Sequence, residues 1–260
     1  MKIAVTHLTR MQRGYFCAAG VNVADGANIR PVQPMGRLRD LYCARRGGPF
    51  DMALVVDLGP TRPVPSLPEV EDHEFTPDHA RAVQRIEPLL FWEMLCHLSK
   101  TSLKQMFGPD LRQVGRDRAI VDEATGSASL GCLAPTGRVA FVVDENQRGV
   151  PSLRLRFTDG SLSLNLSVTD QRLWADDHST PRWELVHRVK RSLERGVPCL
   201  LSVGLTRPFS SQEGQPPVHW LQVNNIHLTD DPCWRLADDL ATPAVRSPWR
   251  ADADLEDLPF

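Results

Sequence analysis

The order of apolar and polar positions predicts a series of short strands at the start of the chain. Residues 2–8 and 14–24 are mostly apolar and are separated by a few polar residues, which predicts a pair of strands. The Asp25-Gly26 turn then leads into another extended segment, NIRPV. Residues 52–59 form a continuous apolar run of strand length, so a buried strand is expected there.

A helical pattern follows these strands. The prolines between residues 60 and 68 exclude a central strand from that stretch. Over residues 77–100 apolar side chains recur every three or four positions, which predicts a helix that begins at Pro77. Pro88 interrupts this pattern, so two helices or one kinked helix are expected. Residues 109–136 are expected to be short and irregular.

The second half repeats the strand and helix signals. LRLRF and LSLNLSV alternate apolar and polar residues on either side of residues 158–161, which predicts a hairpin with a tight turn. Residues 182–195 predict a helix that ends at Gly196 and packs Trp183 together with three aliphatic residues. Further strands are predicted at 138–145, 199–205 and 218–228.

This order of elements indicates a mainly β protein with helical insertions, in which each half forms a small β-barrel. The first unit is expected at residues 1–145, with a helical insertion at about 77–107, and the second at residues 146–236. Residues 237–260 combine acidic residues with three prolines, so a poorly ordered tail is expected.

Composition narrows the class of protein. Hydrophobic residues make up 42% and charged residues 24% of the 260 residues, as in ordinary globular domains. The six cysteines include no CxxC pair, which favours free thiols in a reducing compartment. No apolar run approaches about 18 residues, and the first residues lack the apolar region of a signal peptide, so a cytoplasmic protein without a membrane partner is expected.

Charge is unevenly distributed although the net charge is only −2. Residues 1–46 hold eight basic and two acidic side chains, whereas residues 230–260 hold eight acidic and three basic ones. A basic end of this kind suits contacts with phosphates, and the acidic end either stays solvated or folds back over it. Ordinary surface variation is an equally good explanation.

Familiar catalytic and metal-binding motifs are missing from the sequence. There is no Walker motif and no GxGxxG, GxSxG or HExxH sequence, which weakens an enzymatic interpretation without excluding one. Cys96-His97 has no second pair at zinc-finger spacing, so no metal and no cofactor are expected.

Two groups of residues are candidates for ligand binding. His7, Thr9 and Arg10 lie where a strand runs into a turn, and they would hold a phosphate if they faced one cleft. The alternative is a strand-end histidine bonded to a local carbonyl.

Trp220 shares one strand face with two amide side chains, a pattern that suits stacking on a base with hydrogen bonds to its edge. A structural role at the barrel mouth is the alternative. The amide residues of this face are Gln222 and Asn224.

Arg207 is the remaining candidate in the second half. It follows an apolar strand and precedes Pro208, a position expected on a loop rim where no buried ion pair is required. The segment around it, LTRPF, echoes HLTR in the first half, which suggests an internal duplication.

The segments THLTR, CAAGVNVADGANIRPV, LLSVGLTRPF and HWLQVNNIHL together resemble the prokaryotic dual-OB domain family. This resemblance implies two OB-like β-barrels in tandem, a nucleic-acid or nucleotide ligand, and a setting in bacterial conflict or nucleic-acid processing systems. It implies no catalytic role for any residue. The residues that fall in these motifs are His7, Thr9, Arg10, Arg30, Arg207, His219 and Gln222.

The function expected from the sequence is therefore binding of single-stranded nucleic acid or a nucleotide without catalysis. DNA, RNA and nucleotide ligands all remain open. One alternative is a nucleic-acid-directed hydrolase that uses His7 or His219 beside an arginine. Another is an adaptor whose barrels bind a protein partner.

Overall fold

A computed structural model describes residues 1–34, 36–145, 151–210 and 214–236. The acidic tail expected at 237–260 lies outside the described residues. The protein is mainly β, with two OB-like units built from curled sheets.

The N-terminal unit contains a seven-stranded sheet with the order β5-β6-β3-β2-β1-β4-β7. All neighbouring strands are antiparallel except β3 and β6. Its strands are β1 Lys2–Arg10, β2 Phe16–Asn22, β3 Asn28–Val32, β4 Leu54–Asp57, β5 Thr61–Pro63, β6 Asp72–Phe75 and β7 Arg81–Arg85. The strands predicted for residues 2–32 and 52–59 are confirmed, and the proline-rich segment forms only the short edge strand β5.

A bulge bends β1 between Val5 and His7, opposite Gly20 of β2. A Cβ atom on Gly20 would lie 2.1 Å from the carbonyl oxygen of Ala4, so only glycine allows β2 to pass this close.

The helix predicted from Pro77 is wrong in its first part. Residues Pro77–His79 form one 3₁₀ turn, and the next residues form β7, which pairs with β4. The α-helix α1 covers only Pro88–Leu98. Its start has a local cause, because the residue before a proline is pushed into extended backbone, and Glu87 has ψ 144°.

The C-terminal unit consists of a five-stranded sheet, β10-β14-β15-β9-β8, and a three-stranded sheet, β11-β12-β13. Its strands are β8 Arg112–Val114, β9 Arg118–Asp122, β10 Leu130–Leu133, β11 Ala140–Glu145, β12 Pro151–Thr158, β13 Ser163–Ser167, β14 Cys199–Leu205 and β15 Val218–Leu228. Its α-helices are α2 Leu103–Phe107 and α3 Trp183–Glu194. The expectation of irregular structure at 109–136 is wrong, because three strands of three to five residues lie there. Strands of this length are too short to show a clear alternation of apolar and polar residues in the sequence.

The predicted hairpin and the second predicted helix are confirmed. Asp159 closes the hairpin turn, since its Oδ1 accepts hydrogen bonds from the backbone of Ser161 and Leu162 at 2.9 and 2.7 Å. On α3, Val186 and Val189 are buried as expected, but Trp183 is 42% exposed and does not pack into the core.

Two apolar clusters divide the chain near residue 100. One consists mainly of residues from β1–β4, β6 and α1, and the other consists of residues between Leu103 and Trp234. Four residues from the second half also join the first cluster, namely Cys132, Leu200, Cys233 and Leu236. Most buried apolar residues between 103 and 141 therefore pack with the C-terminal strands, whereas the sequence-based division grouped this segment with the first unit.

Buried polar contacts join the two units along β1. The Oγ of Ser202 donates to the carbonyl of Thr6 at 2.8 Å. The side chain of Asn225 accepts from the backbone N–H of Leu8 at 2.8 Å and donates to its carbonyl at 3.1 Å. The amide of Asn225 thus replaces a neighbouring strand at the bulged part of β1.

Candidate nucleic-acid interface

Arg207 joins the two units from the segment that follows β14. Its Nη2 donates to Oδ2 of Asp72 at 2.5 Å, and its Nη1 lies 3.3 Å from Oε1 of Glu69. The Nε of Arg30 on β3 donates to the other oxygen of Asp72 at 2.6 Å. Asp72 is therefore held between one arginine from each half of the chain. Both carboxylates are buried, while the side chain of Arg207 is 53% exposed.

This geometry corrects the expectation that Arg207 needs no buried ion pair. Burial alone would lower the pKa of Arg207, but Asp72 and Glu69 raise it above its ordinary value. The guanidinium of Arg207 therefore stays charged. One side of it is bound by the two carboxylates, and the rest is exposed to solvent.

His219 supports this cluster from the start of β15. Its ring is 1% exposed, and its Nδ1 lies 2.9 Å from the carbonyl of Thr206 and 3.5 Å from Oε1 of Glu69. Because a carbonyl only accepts hydrogen bonds, Nδ1 must carry a proton and donate it to Thr206. His219 therefore positions the segment that carries Arg207, and its ring is not presented to solvent.

An exposed aromatic and basic face lies beside Arg207. The rings of Phe209 and Trp220 have centroids 6.1 Å apart with an interplanar angle of 35°. The guanidinium of Arg118 on the neighbouring strand β9 lies 5.0 Å from the ring of Trp220. Phe209 is 48% exposed, and Arg118 is also exposed. Flat rings flanked by guanidinium groups suit stacking on bases with phosphates alongside.

Gln222 follows Trp220 on the same side of β15 and is half-buried. Arg118, Arg207, Phe209, Trp220 and Gln222 are together called the Trp220 surface. Asn224, which the sequence grouped with them, is only 4% exposed. A Cβ atom on Gly204 would lie 2.5 Å from its Nδ2, so the amide lies directly over β14.

The structure does not bring His7 and Arg10 together. His7 is 2% exposed, its Nδ1 lies 2.8 Å from Oγ1 of Thr6, and burial lowers its pKa to about 4. Arg10 instead lies with its guanidinium 3.8 Å from the ring of Trp174 and donates to the carbonyl of His178. Thr9 is buried in a β-bridge to Asp170. The phosphate clamp considered for this strand end is therefore not formed.

The basic first 46 residues are only partly available to a ligand. Arg30 is buried against Asp72, and Arg45 donates to the carbonyl of Trp174 at 2.9 Å. Arg13, Arg37 and Arg39 are exposed.

Several residues of this region could not be found from the sequence. Glu69 and Asp72 lie 138 and 135 positions before Arg207, in a segment without a periodic pattern. Arg118 lies in a stretch that was expected to be irregular. Phe209, by contrast, lies in the LTRPF segment that the sequence had already singled out.

The residues described by the structure contain no group of three or more histidine, cysteine or acidic side chains placed to hold a metal ion. Nor does any helix within the described ranges have the length and apolar character needed to cross a membrane.

Comparison with known proteins gives one match. A family model described as the dual OB-containing domain matches residues 1–226. No curated protein and no solved structure matches the chain.

Proposed function

The chain belongs to the dual OB-containing domain family, and from this premise we propose that it binds single-stranded nucleic acid through the Trp220 surface. An OB-fold binding module agrees with the family and with the β-rich architecture. The observation that carries the choice of ligand is the pair of rings formed by the exposed Phe209 and the half-buried Trp220, with Arg118 beside the ring of Trp220 and Arg207 two residues before Phe209. Every base has a flat face that stacks on such rings, so this surface suits single strands of varied sequence.

Further cations for the phosphate backbone lie in the N-terminal unit, where the side chains of Arg13, Arg37 and Arg39 are exposed. Arg39 forms a β-bridge with Tyr15, just before the start of β2. One or two of these arginines, together with Arg118 and Arg207, would supply three to four contacts with phosphates.

The alternatives receive less support. A hydrolase that uses His7 or His219 needs an imidazole that reaches its substrate, and both rings are at most 2% exposed. A protein partner remains compatible with the same surface, because aromatic and arginine residues are also common in protein interfaces.

The test is a titration of labelled single-stranded DNA and RNA at low and moderate salt. Contacts from three to four arginines predict a slope of about −2 to −3 in log K against log salt. Trp220→Ala should weaken binding by about 5- to 150-fold, since a stacked base contributes about 1–3 kcal/mol. The matched control is Trp183→Ala, because Trp183 is an exposed tryptophan on α3 and lies outside the Trp220 surface.

Thermal melting of both variants excludes unfolding as the cause of any loss. The proposal fails if neither DNA nor RNA binds at low salt, a result that would favour the adaptor. It also fails if Trp220→Ala and Trp183→Ala bind equally well.

A further inference from the structure

A cavity of about 390 Å³ lies where the two units meet. Its walls come from β1, the β2–β3 turn and the end of α1 on one side, and from α2 and β10 on the other. We call it the junction cavity. Its volume falls within the range of about 300–1,000 Å³ that is usual for small-molecule sites. None of the Trp220 surface residues lines it.

The lining of the junction cavity combines apolar walls with a basic rim. Leu95, Leu98 and Met106 are among its apolar residues. Lys100 and His97 lie at the rim and are exposed. The described residues that line the cavity include no aspartate or glutamate, so its charge favours an anion.

His7 lies in the wall of the cavity, and its ring carries a polar atom that makes no hydrogen bond within the described part of the chain. Its Nε2 is buried and has no hydrogen-bond partner among the residues that the structure describes. The backbone of Val203 and Gly131 lies near the ring, but outside hydrogen-bond geometry for this atom. Leaving a buried nitrogen unpaired costs about 1–3 kcal/mol, which a ligand that bonds to it would recover.

Burial keeps this imidazole neutral at pH 7, because it lowers the pKa of His7 to about 4. A neutral imidazole offers one donor and one acceptor, so His7 suits an uncharged hydrogen-bonding group and not an anion. Asn28 adds an amide to the same lining. The cavity thus places neutral polar groups inside and the cation Lys100 at the entrance, beside His97.

We propose that the junction cavity binds a nucleoside monophosphate, with the phosphate at Lys100 and His97 and the base against His7 and the apolar walls. A base edge supplies neutral donors and acceptors on a largely apolar ring, and a phosphate supplies the anion, so the two ends of this ligand match the two ends of the cavity. This site does not depend on the Trp220 surface.

The experiment is calorimetric titration of the full chain with the four ribonucleoside monophosphates, the corresponding nucleosides and inorganic phosphate. At least one monophosphate should saturate one site, with the nucleoside and inorganic phosphate each binding more weakly. Lys100→Ala should weaken the monophosphate by about tenfold, as for the loss of one hydrogen bond to a charged group. Lys104→Ala is the matched control, since Lys104 is an exposed lysine on α2 outside the cavity lining.

Filling the cavity provides a second variant. Ala128 lines it and is half-buried, so Ala128→Phe should abolish monophosphate binding while the thermal melt and the binding of single strands stay unchanged. The proposal is overturned if no monophosphate saturates, if Lys100→Ala and Lys104→Ala lose equal affinity, or if Ala128→Phe binds as well as the wild type.

Titration of Trp220→Ala separates this proposal from the function proposed above. Unchanged monophosphate binding by that variant supports the junction cavity, whereas its loss would place the ligand on the Trp220 surface and overturn the inference. If the wild type binds a monophosphate but no single strand, the proposed function fails and the cavity site stands.

Discussion

Removing Arg207 should destabilise the protein as well as weaken its ligand binding. The side chain makes a charged hydrogen bond of 2.5 Å to Asp72 and approaches Glu69 to 3.3 Å. In Arg207→Ala these buried carboxylates lose a cation, and water does not fully replace it. Breaking a fully buried pair costs about 3–5 kcal/mol.

The expected loss for Arg207→Ala is smaller, about 2 kcal/mol, for two structural reasons. Asp72 keeps its 2.6 Å hydrogen bond from Arg30, and Arg207 itself is 53% exposed, so water already screens part of its charge. In a chain of this size, about 2 kcal/mol lowers the melting temperature by roughly 4–8 °C.

The assay is urea unfolding at pH 7 of the wild type, Arg207→Ala, Asp72→Asn and the double variant. Because the two side chains are in contact, the double variant should lose less than the sum of the single losses. Arg207→Lys should restore only part of the stability, since one ammonium group cannot pair with both carboxylates as the guanidinium does. Arg118→Ala is the matched control, because Arg118 is exposed and pairs with no carboxylate in the described ranges.

Two results would refute this reasoning. An unfolding midpoint of Arg207→Ala equal to that of the wild type would mean that the ion pairs contribute no net stability. Additive losses in the double variant would mean that Arg207 and Asp72 act independently despite their contact.

Three further predictions concern the core. Leu201 is fully buried on β14, so Leu201→Ala should lower the free energy of unfolding by about 2–5 kcal/mol. The folded variant should bind single strands as the wild type does, and a loss of affinity with a normal thermal melt would contradict this. Arg172→Leu removes the guanidinium that lies 2.6 Å from the fully buried carboxylate of Asp170. The free energy of unfolding, measured in urea, should fall by about 3–5 kcal/mol, and a fall of less than about 1 kcal/mol would contradict the prediction. Folding lowers the pKa of His7 from 6.5 to about 4, so as the pH falls the unfolded chain binds a proton at His7 before the folded protein does. The free energy of unfolding should therefore decline from about pH 6.5 to about pH 4, by on the order of 3 kcal/mol for this residue. His7→Asn should flatten that decline in urea unfolding at several pH values, and an unchanged slope would show that His7 does not cause it.

Much of the secondary structure was predictable because its causes are local. Alternation in LRLRF and LSLNLSV fixes which face of each strand is buried, and the turn between them is closed by the side chain of Asp159. Helix α3 was predictable because its apolar residues recur at helical spacing, which places Val186 and Val189 on the buried face. The short motifs at strand ends also indicated the family, which the match over residues 1–226 confirms.

Where pairing partners are distant, the same local signals failed. Residues 81–85 follow a helical spacing, but the exposed edge of β4 offers them a ladder of backbone hydrogen bonds, so they form a strand. Strands β8 and β9 pair with each other but are too short to show a period, and β15, the other partner of β9, lies about a hundred residues later.

Tertiary structure alone decided which candidate residues meet. The sequence grouped Arg207 with Trp220, and the backbone N–H of Thr206 does bond to the carbonyl of Trp220. Asp72 and Glu69, which bind Arg207, come from the other unit of the fold. His7 and Arg10 are three residues apart and nevertheless have separate surroundings, because positions three apart in a strand point to opposite faces. The burial of His7, and the cavity that it lines together with residues of β10 and α2, arise only when the two units meet. Local pattern determines which residues extend or coil, whereas a site depends on distances between side chains that only the packed chain sets.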